Sequence, residues 1–175
     1  MAMVGLFWIA EGDVYVGAKP SGLAPGVRLT PEGVMGLGDG QADLHLWEDV
    51  RALTVADVPV KSLLRKVGAV KDRALHTVKE LAMPVSPGLV DEAPALMTVR
   101  VTTSGGDREL AAYVAAAVGY PQTEVDLSRA LLTRLTEGAA TMSTTLAAMS
   151  EWGRAGEGSA PRASQREKLL REWLG

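Results

Sequence analysis

The 175-residue chain predicts a β-rich α+β fold, in which short antiparallel strands are closed by one amphipathic helix and followed by a helical tail. Three observations carry this. Up to Val58 the apolar residues come in short runs or alternate at period two, punctuated by Gly, Pro and Asp. At Pro59 the apolar spacing changes to three- and four-residue steps, the helical period. From Leu96 to Gly138 the chain then reads as strand, tight turn, strand and capped helix in direct succession.

The elements follow in order. Leu6–Ile9 and Val14–Val16 are β-rich runs on either side of Ala10–Asp13, which predicts a hairpin. A loop with Pro20, Gly22, Pro25 and Gly26 leads to a second hairpin, Val27–Thr30 and Val34–Met35, turning at Pro31–Gly33. Gly36–Gly40 is a further turn cluster. It is no phosphate cradle, because such loops open a helix, and this one opens the strand-like Ala42–Trp47. In that run Ala42, Leu44 and Leu46 share one face, and Val50–Val55 is the next strand.

The segment 60–82 predicts an amphipathic helix, interrupted in propensity only by Gly68. Pro84 and Pro87 end it, and 83–94 is a loop. Leu96–Thr103 and Arg108–Val114 form a hairpin around Ser104–Asp107. Thr123 with Asp126 resembles a capping box for a helix from Glu124. Its apolar stripe is Leu127, Leu131 and Leu135, widened by Ala130 and Leu132, with Gly138 as the C-terminal cap. A short helix with Leu146, Met149 and Trp152, a linker over Gly153–Ala163, and a last helix capped by Ser164 and Glu167 complete the tail. The expected organisation is one domain over 1–138, with 59–94 inserted, and a helical tail over 139–175.

Composition narrows the function classes. A net charge of −3 with 22% charged residues argues against nucleic-acid binding as the main role. No cysteine is present, which removes disulfides, thiolate ligands and cysteine nucleophiles together. The apolar run Val4–Ala10 is too short for a signal core and is followed by Glu11 and Asp13, so a cytoplasmic location is expected. Asn is absent and Ile9 is the only isoleucine, a bias that points to a high-GC bacterial source.

The pattern Val27–Val34, the Leu46–Val50 turn into a strand, and the final hairpin plus helix resemble the pleckstrin-homology-like superfold in its bacterial or GRAM-like versions. The resemblance implies a bent antiparallel β-barrel or sandwich with one capping helix, and a non-catalytic binding or scaffolding module. It does not extend to the lipid headgroup site, since the first hairpin loop, Ala10–Asp13, is acidic where lipid-binding members carry Lys and Arg.

Two surfaces are candidates for contact. Lys61, Arg65, Lys66, Lys71, Arg73 and Lys79 against Asp72 and Glu80 give segment 60–82 a local charge of +4. The preferred reading is an insertion helix that packs its apolar face on the barrel and solvates its charges, since it lacks aromatic anchors; the alternative is contact with an anionic membrane surface or an acidic partner. In the tail, Leu169, Leu170 and Trp173 could dock on a protein partner, on a second copy in a homo-oligomer, or on their own domain. His76 and Glu80 stand four apart, and His45 would have to join them for a metal site; a solvated pair is the better reading, and neither metal nor cofactor is expected. No nucleophile elbow or triad is present, so the chain is expected to be no enzyme. The order of preference is a protein-interaction module, then a peripheral binder of anionic membrane, then a small-ligand or enzymatic site in the barrel mouth.

Overall fold

The first sheet is a six-stranded antiparallel meander: β1 (Ala2–Val4), β2 (Phe7–Ala10), β3 (Asp13–Val16), β4 (Gly26–Leu29), β5 (Gly33–Leu37) and β6 (Leu44–Leu46). The second has three strands, β7 (Val50–Ala56), β8 (Leu96–Thr103) and β9 (Gly106–Tyr113). Helices α1 (Gln122–Leu135), α2 (Ala139–Ala155) and α3 (Ala163–Leu174) follow. The computed structural model describes residues 2–61, 95–156 and 160–175. The α+β class and both antiparallel sheets agree with the sequence reading. Among the described residues the two sheets are separate and do not close into a barrel.

Turn chemistry sets the registers. Glu11 and Gly12 both have positive φ, 54° and 89°, the type I′ geometry whose twist matches a two-residue hairpin between β2 and β3. The β4–β5 turn is held by Thr30, whose hydroxyl donates to the Gly33 carbonyl and accepts from the Gly33 amide. The last hairpin is tighter than the sequence reading had it. Thr103 pairs with Gly106, so only Ser104 and Gly105 form the turn, and Asp107 is already in β9. A strand the sequence reading passed over, β1, pairs with β2 because Gly5 adopts φ +58° at the turn between them.

The core lies between the sheets and under the helices. Val4, Phe7, Ile9 and Val16 meet Leu53, Met97, Val99 and Leu110, with Leu131 and Leu135 of α1 and Met149 of α2 in the same cluster. Leu44 and Leu46 are not in it: both are exposed, at 43% and 40%, because β6 is a three-residue strand at the edge of the meander.

The helices correct several expectations. Pro121, not Thr123, occupies the α1 N-cap, since its fixed ring and extended ψ of 139° end the preceding chain there, and no side chain caps the helix. The buried face of α1 is Val125, Ser128, Leu131, Leu132 and Leu135; Ala130 is exposed and Leu127 only partly covered. Helix α1 ends at Thr136, and Gly138 instead precedes α2 as its N-cap. Helix α2 is 17 residues long and runs through Gly153, which is a packing point and not part of a linker. A Cβ at Gly153 would strike Cγ2 of Ile9, so glycine lets α2 cross close over β2. At α3 the Arg162 amide donates to Gln165 Oε1 at 2.8 Å, replacing the expected Ser164–Glu167 cap, and Glu167 accepts from Arg171.

Helix α3 packs on α1, α2 and β1. Leu170 is fully buried and Trp173 is 8% exposed, its ring edge-on to Trp152 at 5.9 Å. Those two side chains therefore belong to the chain's own core, where α3 packs against β1. A polar clasp holds the helix there. The Arg166 guanidinium reaches both carboxylate oxygens of Glu124 and donates to the Pro161 carbonyl, and the two side chains are 15% and 3% exposed. One turn on, Ser128 Oγ donates to the Glu124 carbonyl and accepts from the Leu6 amide at 3.0 Å.

Arg166→Ala leaves the Glu124 carboxylate buried without its cation and is expected to cost about 3 kcal/mol. Arg171→Ala, which breaks an exposed pair, is expected to cost less than about 1 kcal/mol. Urea unfolding of both variants, with proteolysis of 156–162 as a second readout of α3 release, checks this difference.

Candidate interaction site

The site begins with the backbone of β9. A two-residue turn makes Thr103 and Gly106 a hydrogen-bonded pair, so in the antiparallel ladder Arg108, Leu110 and Ala112 also bond to β8. The amides and carbonyls of Asp107, Glu109, Ala111 and Tyr113 then point to the other edge. The C-terminal half of that edge is sewn to the first sheet. The Ala18 amide donates to the Tyr113 carbonyl at 2.7 Å. Gln41 treats Ala111 as a neighbouring strand would: its Oε1 accepts from the Ala111 amide at 3.0 Å and its Nε2 donates to the Ala111 carbonyl at 2.9 Å. The same Nε2 lies 2.9 Å from the Leu37 carbonyl and 3.2 Å from that of Gly26.

The glycine cluster serves to deliver this side chain. Gly38 and Gly40 adopt φ of 104° and 80°, and a Cβ at Gly36 would meet the Gln41 carbonyl. Five residues thus fold tightly enough for Gln41 to reach three strands, as a hairpin loop and not as an anion cradle.

Below Ala111 the seam opens. Asp107 and Glu109 have no backbone partner on this edge among the described residues. They border a cleft of about 660 Å³ lined by Gly40, Gln41, Asp43 and His45 from the first sheet and by Arg100 and Asp107–Leu110 from the second. Leu110 forms its buried floor. Arg100 and Glu109 are directly opposite across β8 and β9 and pair at 2.8 Å, and the carboxylate raises the Arg100 pKa above its usual value. Asp43, Asp107 and Arg108 have no ion pair among the described residues. The arrangement offers unpaired backbone donors and acceptors beside charged side chains, which is what an extended chain needs in order to bind.

The residues singled out from sequence fall elsewhere. Lys61 is exposed, and its amide donates to the Tyr120 carbonyl next to the Val60–Tyr120 bridge. Arg65, Lys66, Lys71, Arg73 and Lys79, with His76 and Glu80, lie outside the described residues. Leu169 is half-buried beside the buried Leu170 and Trp173. Of those among the described residues, His45 alone lines the cleft. No three His, Asp or Glu side chains converge as metal ligands among the described residues, nor is any described helix long and apolar enough to cross a membrane. Gln41, Asp107 and Glu109 were missed. The available signal for the last two was the two-residue turn, which fixes which β9 residues face the edge.

Gln41→Ala leaves the backbone groups of Ala111 and the Leu37 carbonyl unpaired and is expected to cost about 2–3 kcal/mol. Denaturant unfolding gives the cost, and faster hydrogen exchange at the Ala111 amide shows the seam opening further.

Comparison with protein-family models, with curated proteins and with solved structures returned no match for this chain.

Proposed function

We propose that this chain is a non-catalytic PH-like interaction module that binds a protein partner or a second copy of itself through the open half of the β9 edge. The observation that carries this is the half-sewn seam. A strand edge is an aggregation risk that proteins usually cover, and here the same edge is closed at Ala111 and Tyr113 but, among the described residues, open at Asp107 and Glu109. Connectivity supports the PH-like part of the reading: two successive antiparallel meanders lead directly into α1, which packs on β7 and buries Leu131 and Leu135 in the core. In that reading the sheets are the two halves of a bent barrel, parted at this seam. A small-ligand or enzymatic site would have to use the same cleft, and a shallow trough beside a strand edge suits an extended chain better than an enclosed small molecule.

A second reading, peripheral binding to an anionic membrane through the basic segment 60–82, draws on a different face. Leu23 and Val118 are 80% and 69% exposed. They lie on the two loops that flank an apolar cleft of about 540 Å³ lined by Trp8, Pro20, Tyr113 and Val114. The chain leaves for that segment at Lys61, bonded to Tyr120, and re-enters at Ala95, bonded to Val114, so both ends are tied to the second of these loops.

Glu109→Ala and Glu109→Pro both lose the pair to Arg100, and only Glu109→Pro also removes an edge N–H, leaving the β8 backbone ladder intact, a substitution sheet edges tolerate. Peptides selected from a random display library on the full chain are expected to lose at least tenfold affinity for Glu109→Pro relative to Glu109→Ala, with circular dichroism unchanged. Peptides that bind the two variants equally would refute the edge reading. Vesicle binding that is lost on Lys66→Glu with Lys71→Glu would favour the membrane reading instead.

A further inference from the structure

Resting on the edge reading above, we infer that the segment the seam takes is a heterologous extended strand with Lys or Arg at alternate positions and an acidic residue between them. Four backbone groups are on offer, the N–H and C=O of Asp107 and of Glu109, about 7 Å apart along the strand. Three residues of an added strand satisfy them.

Side-chain direction then fixes the charge pattern. Leu110 and Ala112 are buried, so the even-numbered face of β9 turns inward and Asp107 and Glu109 lie on the outer face. An added strand places its outward residues beside those two carboxylates, at the cross-strand distance of about 5 Å. Arg100 pairs with Glu109 from the β8 side and acts on Asp107 only at longer range, and Asp107 forms no ion pair among the described residues. Cations at both outward positions of the ligand supply one. The first-sheet wall of the cleft carries Asp43 and His45, while the ligand's inward residue, between its two cations, sits opposite Arg108 of β9. An acidic side chain fits there.

The same pattern argues against a second copy as the occupant. Two β9 edges paired about Arg108 would set Asp107 against Glu109 twice and Arg108 against itself, and like charges directly opposite are destabilising.

The test uses two capped heptapeptides, Thr-Val-Lys-Glu-Lys-Val-Thr and its inverse Thr-Val-Glu-Lys-Glu-Val-Thr, titrated into the full chain. The first is expected to bind at least tenfold more tightly, to weaken as salt rises, and to lose binding to Glu109→Pro. In the Asp107→Lys, Arg108→Glu double variant the preference is expected to invert, with circular dichroism showing the fold retained. Equal binding of both peptides, both abolished by Glu109→Pro, overturns the charge pattern and leaves the edge reading standing. A preference that survives Glu109→Pro overturns strand addition itself, and binding of neither peptide overturns the inference.

Discussion

The carboxamide of Gln41 meets the backbone of three strands, and the relation between the two sheets depends on it. β4 and β5 contribute the Gly26 and Leu37 carbonyls, and β9 contributes both polar groups of Ala111. The sheets share no ladder, so nothing in strand pairing alone fixes how far β9 overlaps the first meander. A side-chain amide can imitate one rung of a ladder, and one rung, with the Ala18–Tyr113 bond beside it, sets where the overlap stops. The open half of the edge follows from that stop. The positive-φ glycines at 38 and 40 cost chain entropy and are tolerated because they bring Gln41 to this point.

The β1 and β7 edges are managed differently. β1 packs against α3, which is held by buried Leu170 and Trp173 and by the Glu124–Arg166 clasp. β7 lies under α1, with the Arg129 guanidinium reaching the Val55 carbonyl. Ser128 links α1 to the β1–β2 turn through the Leu6 amide, so one helix organises both the capped end and the tail. Against those two edges, the backbone of Asp107 and Glu109 has no cover among the described residues, and an uncovered edge is where another chain can add as a strand.

Much of the fold was legible in the sequence because it rests on local patterns. Period-two alternation and Gly- or Asp-containing turns located the hairpins from Phe7 to Met35 and from Leu96 to Tyr113. The errors arose where one local pattern fits two structures. Thr123 looks like a cap, but Pro121 two residues earlier decides the helix start. Gly138 and Gly153 look like breakers, yet one begins α2 and the other lets it approach Ile9. The stripe of Leu169, Leu170 and Trp173 is the same whether it docks on its own chain or on another. The site was not legible, because Gln41 and Ala111 are 70 residues apart and a carboxamide reaching backbone leaves no periodic trace.

The central claim is that β9 is closed at one end of its outer edge and open at the other. Amide hydrogen exchange of the full chain, read residue by residue, tests it most directly. Ala111 should be protected together with the β8-bonded Arg108 and Leu110, and the Asp107 and Glu109 amides between and beside them should exchange orders of magnitude faster. Equal protection of Asp107 and Glu109 would mean that the edge is already paired, and the account of the seam would be wrong.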